Sequence, residues 1–147
     1  MCIRDSLQCA LGSSQLKKLD NFVKKRRKIA KIYDESLSKI DGCIIPNSGP
    51  DIQHSYHLYP LQIEFEKLSI KKIEFFRRME DSGIKLQTHY IPVHLQPFYK
   101  KRFGFKEGDF RLSESFYKNE VSLPIYPDLT KDDVSFVVKN LLEIIST

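Results

Sequence analysis

L-Q-T-H-Y-I-P-V-H-L-Q-P-F-Y, running from Leu86 to Tyr99, carries His89, Tyr90, His94, Gln96 and Tyr99 around two prolines. Leu86 and Thr88 alternate with Gln87 and His89, the spacing of a short strand. Pro92 ends the pairing because it has no N–H to donate, and Pro97 stiffens the backbone beyond it. Turns are usually built from Gly, Ser, Asn and Asp. This one is built from imidazoles and phenols, and a rigid loop of that kind at a strand end is where binding residues sit.

Upstream, His54 to Phe65 alternates as a longer strand, and Pro60 within it suggests an edge position or a bulge. The same alternation puts His57 inside that strand as a buried, hydrogen-bonded histidine, with His54 exposed. Ser69 can cap a helix with an inward stripe of Ile70, Ile73, Phe76 and Met79, stopped by Gly83. Downstream, Phe103 to Gly108 reads as a mobile connection and Phe110 to Asn119 as a helix. Val121 to Ile125 reads as a strand, and Thr130 caps a last helix, Lys131 to Ile145.

At the amino end, Ser6 can cap a long amphipathic helix with Leu7, Leu11, Leu16, Leu19, Phe22, Val23, Ala30, Tyr33 and Leu37 on one side. Gly12-Ser13-Ser14 is its weak point, and Asp41-Gly42 ends it. Cys43 to Ile45 is a short strand before the turn Pro46-Asn47-Ser48-Gly49-Pro50. Helices and strands in this order give an α+β layer, a mostly antiparallel sheet with helices packed on one face.

The chain has 147 residues and a net charge of +5, with the basic excess concentrated between Lys17 and Lys31. A basic helix face is ordinarily solvated; nucleic-acid modules set aromatics among their basic residues on a strand face, whereas the aromatics here and the run Lys24 to Lys31 lie on different elements. No apolar run is long enough to span a bilayer, and no secretory signal is visible in Met1 to Ala10. The three cysteines lack zinc-like spacing, so reduced thiols in a cytoplasm are expected. Asp132-Asp133 falls in the first turn of a helix, where acids meet the helix dipole. No glycine-rich phosphate cradle is present, and among the histidines and cysteines only His89 and His94, five residues apart across a proline, have a spacing that could hold a metal, which is not expected here.

Four stretches carry a resemblance: Leu7 to Asp20 (L-Q-C-A-L-G-S-S-Q-L-K-K-L-D), Ser55 to Pro60 (S-Y-H-L-Y-P), His89 to Tyr99, and Ser122 to Thr130 (S-L-P-I-Y-P-D-L-T). In order and spacing they resemble the carboxy-terminal portion of the DegT/DnrJ/EryC1/StrS sugar aminotransferases, especially members that aminate a UDP-linked 4-keto-6-deoxy hexosamine. The resemblance implies the small domain of the aspartate-aminotransferase fold (fold type I), with 1–40 as the long interdomain helix and 41–147 as the small domain. Residues 1–6 do not match the family's pattern. It further implies a homodimeric cytoplasmic enzyme that uses pyridoxal phosphate and moves an amino group from glutamate to the C4 keto group of a nucleotide sugar.

In such enzymes the Schiff-base lysine, the carboxylate on the pyridine nitrogen and the phosphate donors precede the matched region. The resemblance therefore assigns this chain no catalytic or cofactor-binding residue, and no activity by itself. It assigns His89, Tyr90 and His94 to the wall of the sugar-nucleotide pocket, since neutral imidazole and phenol can each donate to or accept from a hydroxyl, acetamido or diphosphate group. The competing reading is a free-standing basic α+β binding or dimerisation module without catalysis.

Overall fold

The computed structural model describes residues 2–47, 49 and 51–146, with side chains from Ser6 onward; Ser48 and Pro50 of the turn expected at 46–50 fall outside it. Helix α1 (Cys2–Leu16) leads into α2 (Leu19–Leu37), then strands β1 (Cys43–Ile44) and β2 (Tyr59–Ile63) and helix α3 (Lys72–Asp81). A 3₁₀ turn (Val93–Leu95), α4 (Pro97–Phe103), α5 (Arg111–Asn119), β3 (Glu120–Leu123) and α6 (Lys131–Ile145) complete the order.

The strands form one antiparallel sheet in the order β1-β2-β3, in register Cys43 with Ile63 and Leu61 with Val121. Tyr59, Leu61 and Ile63 are buried from β2, as alternation requires. They join one core with Ile29, Ala30, Tyr33 and Leu37 of α2, Phe75 and Met79 of α3, and Val134, Val137, Val138, Leu141 and Ile144 of α6. The α6 positions recur at helical spacing, and the helix starts at a complete capping box. The Thr130 hydroxyl accepts from the Asp133 N–H, while the Asp133 carboxylate accepts from the Thr130 N–H.

Two phenols tie the layers together. Tyr33 donates to the Pro124 carbonyl at 2.9 Å, and Tyr59 donates to Asp34 Oδ1 at 2.7 Å. Burial pushes both phenols well above the usual tyrosine range, and for Tyr59 the Asp34 carboxylate adds to the effect.

Several local expectations are corrected. Ser6 and Gly12-Ser13-Ser14 lie inside a continuous α1, and the interruption comes at Lys17–Lys18, where the Lys18 N–H bonds back only three residues to Gln15. It marks the border between an exposed helix and a packed one, since burial begins at Phe22. Helix α3 starts at Lys72 with no side-chain cap, so Ser69 lies ahead of it; its buried face is Phe75 and Met79, while Ile73 is 80% exposed. Gly83 does end α3, with φ +79° and the Ile84 N–H returning to the Met79 carbonyl.

The strand expected over 54–65 is paired only from Tyr59 to Ile63. Upstream of it Tyr56 takes a left-handed conformation (φ 47°), and its N–H donates to His54 Nδ1 at 2.9 Å. His57 is therefore neither in a strand nor buried: it is exposed. His54 is exposed, as expected.

Pro60 lies in the central strand, for a reason the register supplies. Ser122 exchanges both backbone bonds with Gln87 on its other side, so the Pro60–Ser122 pair is the non-hydrogen-bonded kind. The missing N–H of Pro60 then faces the β1 flank, and β1 reaches only Gln62 and Ile63.

A helix also occupies ground expected to be loop. Pro97 opens α4 at a position that needs no N–H, and Gly104 (φ +73°) closes it by donating to the Lys100 carbonyl.

Candidate substrate site

The site begins at the edge of β3. The stretch expected as a strand at Leu86 to His89 makes a single bridge, Gln87 with Ser122, its bonds 2.8 and 3.4 Å long. In an antiparallel ladder the next hydrogen-bonded pair would be His89 with Glu120. It does not form in the usual way, because the Glu120 carbonyl is taken by Lys72 Nζ at 2.7 Å. The Glu120 carboxylate stands in for it: Oε2 accepts the His89 N–H at 2.8 Å. Side-chain capture of one backbone donor thus ends the strand and sets His89 at its tip.

The ring of His89 is held as firmly as its backbone. Nδ1 lies 2.8 Å from Ser122 Oγ, and Ser122 Oγ donates to Glu120 Oε1 at 2.5 Å. Glu120 is fully buried and Ser122 is 4% exposed. His89 Nε2 has no hydrogen-bond partner among the described residues. No side-chain nitrogen or oxygen among them is both buried and unpartnered, so this edge of the ring reaches the surface. The Tyr90 ring packs edge-on against His89 with centroids 4.6 Å apart and is itself 74% exposed.

Pro92 is buried, and the 3₁₀ turn after it directs His94 inward. His94 Nε2 lies 2.8 Å from Glu114 Oε1, and the same carboxylate accepts from the N–H groups of Gly108 and Phe110. The Gly108 N–H foremost, then the His94 ring and the Phe110 N–H, hold the Glu114 carboxyl below the usual range, against the opposing effect of desolvation. The connection expected to be mobile between Phe103 and Gly108 is therefore pinned at its far end. A cavity of about 350 Å³ opens beside this clasp, lined by Val93, His94, Tyr99, Phe105, Phe110 and Ser113.

The three residues singled out from sequence share one loop but have different surroundings. His89 is half-buried with one free edge, Tyr90 is open to solvent, and His94 is buried against Glu114. Sequence reading missed Glu114, Glu120, Ser122 and Lys72. Each looks locally like an ordinary helix or strand residue, and only Ser122 lay inside one of the four family motifs. The basic helix face also has an unexpected use. Arg26 donates to the Ser55 carbonyl and Arg27 to those of His54 and Gln53, so α2 holds the irregular segment ahead of β2.

Lys25 and Lys72 are the half-buried lysines among the described residues. Lys25 pairs with Asp128. Lys72 Nζ grips the carbonyls of Tyr117 and Glu120. Neither presents a free amine. Among the described residues no three His, Cys, Asp or Glu side chains gather as metal ligands, and no helix is long and apolar enough to cross a membrane.

Architecture and loop together define the small α+β domain of an aminotransferase. Helicobacter pylori PseC, an aminotransferase involved in the biosynthesis of pseudoaminic acid, has this fold with a TM-score of 0.86 and 27% identity, over 95% of this chain and 37% of its own. S. venezuelae DesV, solved in complex with a ketimine intermediate, gives a TM-score of 0.85 and 29% identity over 95% of this chain and 36% of its own. The model of the DegT/DnrJ/EryC1/StrS aminotransferase family matches residues 4–142, and the chain belongs to that family.

Among curated relatives, the spore coat polysaccharide biosynthesis protein SpsC of Bacillus subtilis is 40% identical over 95% of this chain. The UDP-4-amino-4,6-dideoxy-N-acetyl-beta-L-altrosamine transaminase of Campylobacter jejuni is 36% identical over 93% of it. In both cases the chain spans 36% of the relative's length.

Proposed function

We propose that this chain is the small-domain portion of a pyridoxal-phosphate-dependent transaminase, cytoplasmic and homodimeric when complete. It passes the amino group of glutamate to the C4 keto group of a nucleotide-linked 4-keto-6-deoxy sugar. The chain's own share is recognition of the sugar nucleotide: His89 and Tyr90 offer polar edges at the tip of the β3 flank, and further along the same loop His94 forms a wall of the aromatic cavity. The observation that carries this reading is the pairing of a fixed imidazole, His89, with a free edge and an exposed phenol, Tyr90, on the loop the family match includes. The similarity to the Campylobacter transaminase favours a UDP-linked hexosamine as the sugar nucleotide. Division of the chain into an interdomain helix over 1–40 and a small domain over 41–147 belongs to the same proposal.

The test is a chimera in which this chain replaces the matching third of the Campylobacter transaminase. Amination of the 4-keto sugar with glutamate is expected, with Tyr90→Phe impairing the sugar half-reaction more than the glutamate one. A well-folded chimera that handles glutamate but is indifferent to changes at His89 and Tyr90 would overturn the assignment.

A further inference from the structure

We propose that Glu120 and Ser122 are positioning residues that place the His89 ring proton on Nδ1, so that Nε2 meets the ligand as an acceptor for a hydroxyl or amide donor. The proposal rests on the reading of His89 as a ligand-facing residue and goes beyond it by fixing which kind of group the ring can recognise.

The direction of each hydrogen bond comes from what each atom can do. The Glu120 carboxylate only accepts: Oε2 receives the His89 N–H, and Oε1 receives Ser122 Oγ. A serine hydroxyl has one proton, and Glu120 takes it. What Ser122 turns toward His89 Nδ1, 2.8 Å away, is a lone pair, so Nδ1 must carry the hydrogen. In a neutral imidazole the other nitrogen is then bare. That nitrogen, Nε2, is the edge without a partner among the described residues. The anchor is also fixed from behind, because Lys72 holds the Glu120 carbonyl at 2.7 Å and Glu120 is fully buried. A ligand carbonyl or phosphate oxygen is disfavoured at such an edge, and a sugar hydroxyl or acetamido N–H is favoured.

Long-range proton–nitrogen NMR of the full chain, with nitrogen-15 in the histidine rings, reads the tautomer directly, since protonated and bare ring nitrogens resonate far apart. The spectrum is taken in mildly alkaline buffer, with His89→Gln to assign the His89 signals. Wild type is expected to show a protonated Nδ1 and a bare Nε2. Glu120→Gln should reverse the pattern. Its amide oxygen would take the His89 N–H and its amide N–H the Ser122 oxygen, which frees the serine proton for Nδ1. Ser122→Ala should leave a mixture of the two forms. A bare Nδ1 in wild type overturns the proposal, as does an unchanged pattern in folded variants. Should Glu120→Gln fail to fold, wild type and Ser122→Ala decide by the same criteria. Adding UDP-N-acetylglucosamine to the chimeric transaminase, which supplies the rest of the pocket, separates the two readings. A shift at Nε2 supports ligand contact, whereas the expected tautomer with an unmoved Nε2 overturns the pocket assignment and leaves the positioning role standing.

Discussion

His94 Nε2 and Glu114 Oε1 lie 2.8 Å apart in a setting where both residues are less than a tenth exposed. The carboxylate that His94 shares with the N–H groups of Gly108 and Phe110 closes the connection between α4 and α5. Because these bonds depress the folded pKa of Glu114 below its ordinary 4.5, the contribution is full above that value and is lost as pH falls through the lower, folded one. Glu114→Gln should therefore lower the melting temperature at neutral pH. The gap from wild type should close progressively below about pH 4.5. A gap that stays constant with pH would mean the charge is not what holds the clasp.

Tyr90 and His94 should separate in the chimeric transaminase. Tyr90 is exposed and supports no core packing, so Tyr90→Phe should leave the melting temperature unchanged. It should weaken handling of the keto sugar by roughly ten-fold, the loss of about 1.4 kcal/mol. His94→Ala should lower the melting temperature, since it leaves the Glu114 carboxylate short of a partner. Parallel measurement of both half-reactions and of thermal unfolding distinguishes the two. Thermal loss in Tyr90→Phe would move that ring into a structural role.

The register of α3 is testable by two single substitutions. Phe75 is fully buried and packs edge-on to Phe65 with centroids 5.6 Å apart. Phe75→Ala should cost about 3–5 kcal/mol in chemical denaturation. Ile73→Ala, at an 80% exposed position, should stay within about 0.5 kcal/mol. Equal costs would contradict this orientation of the helix.

Arg27 holds the carbonyls of His54 and Gln53 with two separate nitrogens, at 2.8 and 2.9 Å. Arg27→Lys should not rescue what Arg27→Ala loses, because an ammonium lacks the planar fork that spans both acceptors. The expected loss is on the order of 1 kcal/mol. Faster proteolytic cleavage between residues 51 and 57 would register it; cleavage at the wild-type rate in both variants would rule out the tether.

Incubation with pyridoxal phosphate followed by borohydride should trap no single stoichiometric adduct on this chain. Lys72 is the residue to watch, since burial lowers its pKa toward the nucleophilic amine form despite the nearby Glu120 charge. Its grip on two carbonyls should keep it from reacting. Mass spectrometry showing one fully modified lysine would contradict this.

The sequence alone determined the features whose causes lie close together along the chain. Thr130 and Asp133 start α6, Gly83 stops α3, and alternation around Leu61 marks a strand, though not its central place in the sheet. The order of elements gave the antiparallel α+β layer, and four short motifs gave the family. Even α4 carries its local signals, Pro97 at its start and Gly104 at its end, among aromatic residues that suggest a loop. Tertiary structure alone decided what depends on distant partners. Phe75 and Phe76 are neighbours on a ten-residue helix, and local periodicity cannot say which one meets Phe65. His57 left the strand for solvent, in the irregular segment that Arg26 and Arg27 hold upstream of β2. His94 turned inward because Glu114 lies 20 residues away in sequence but beside it in space. Glu120 serves His89 across 31 residues while its carbonyl serves Lys72 across 48. Polar groups shut off from water must find partners, and the fold, not the neighbouring residues, selects them.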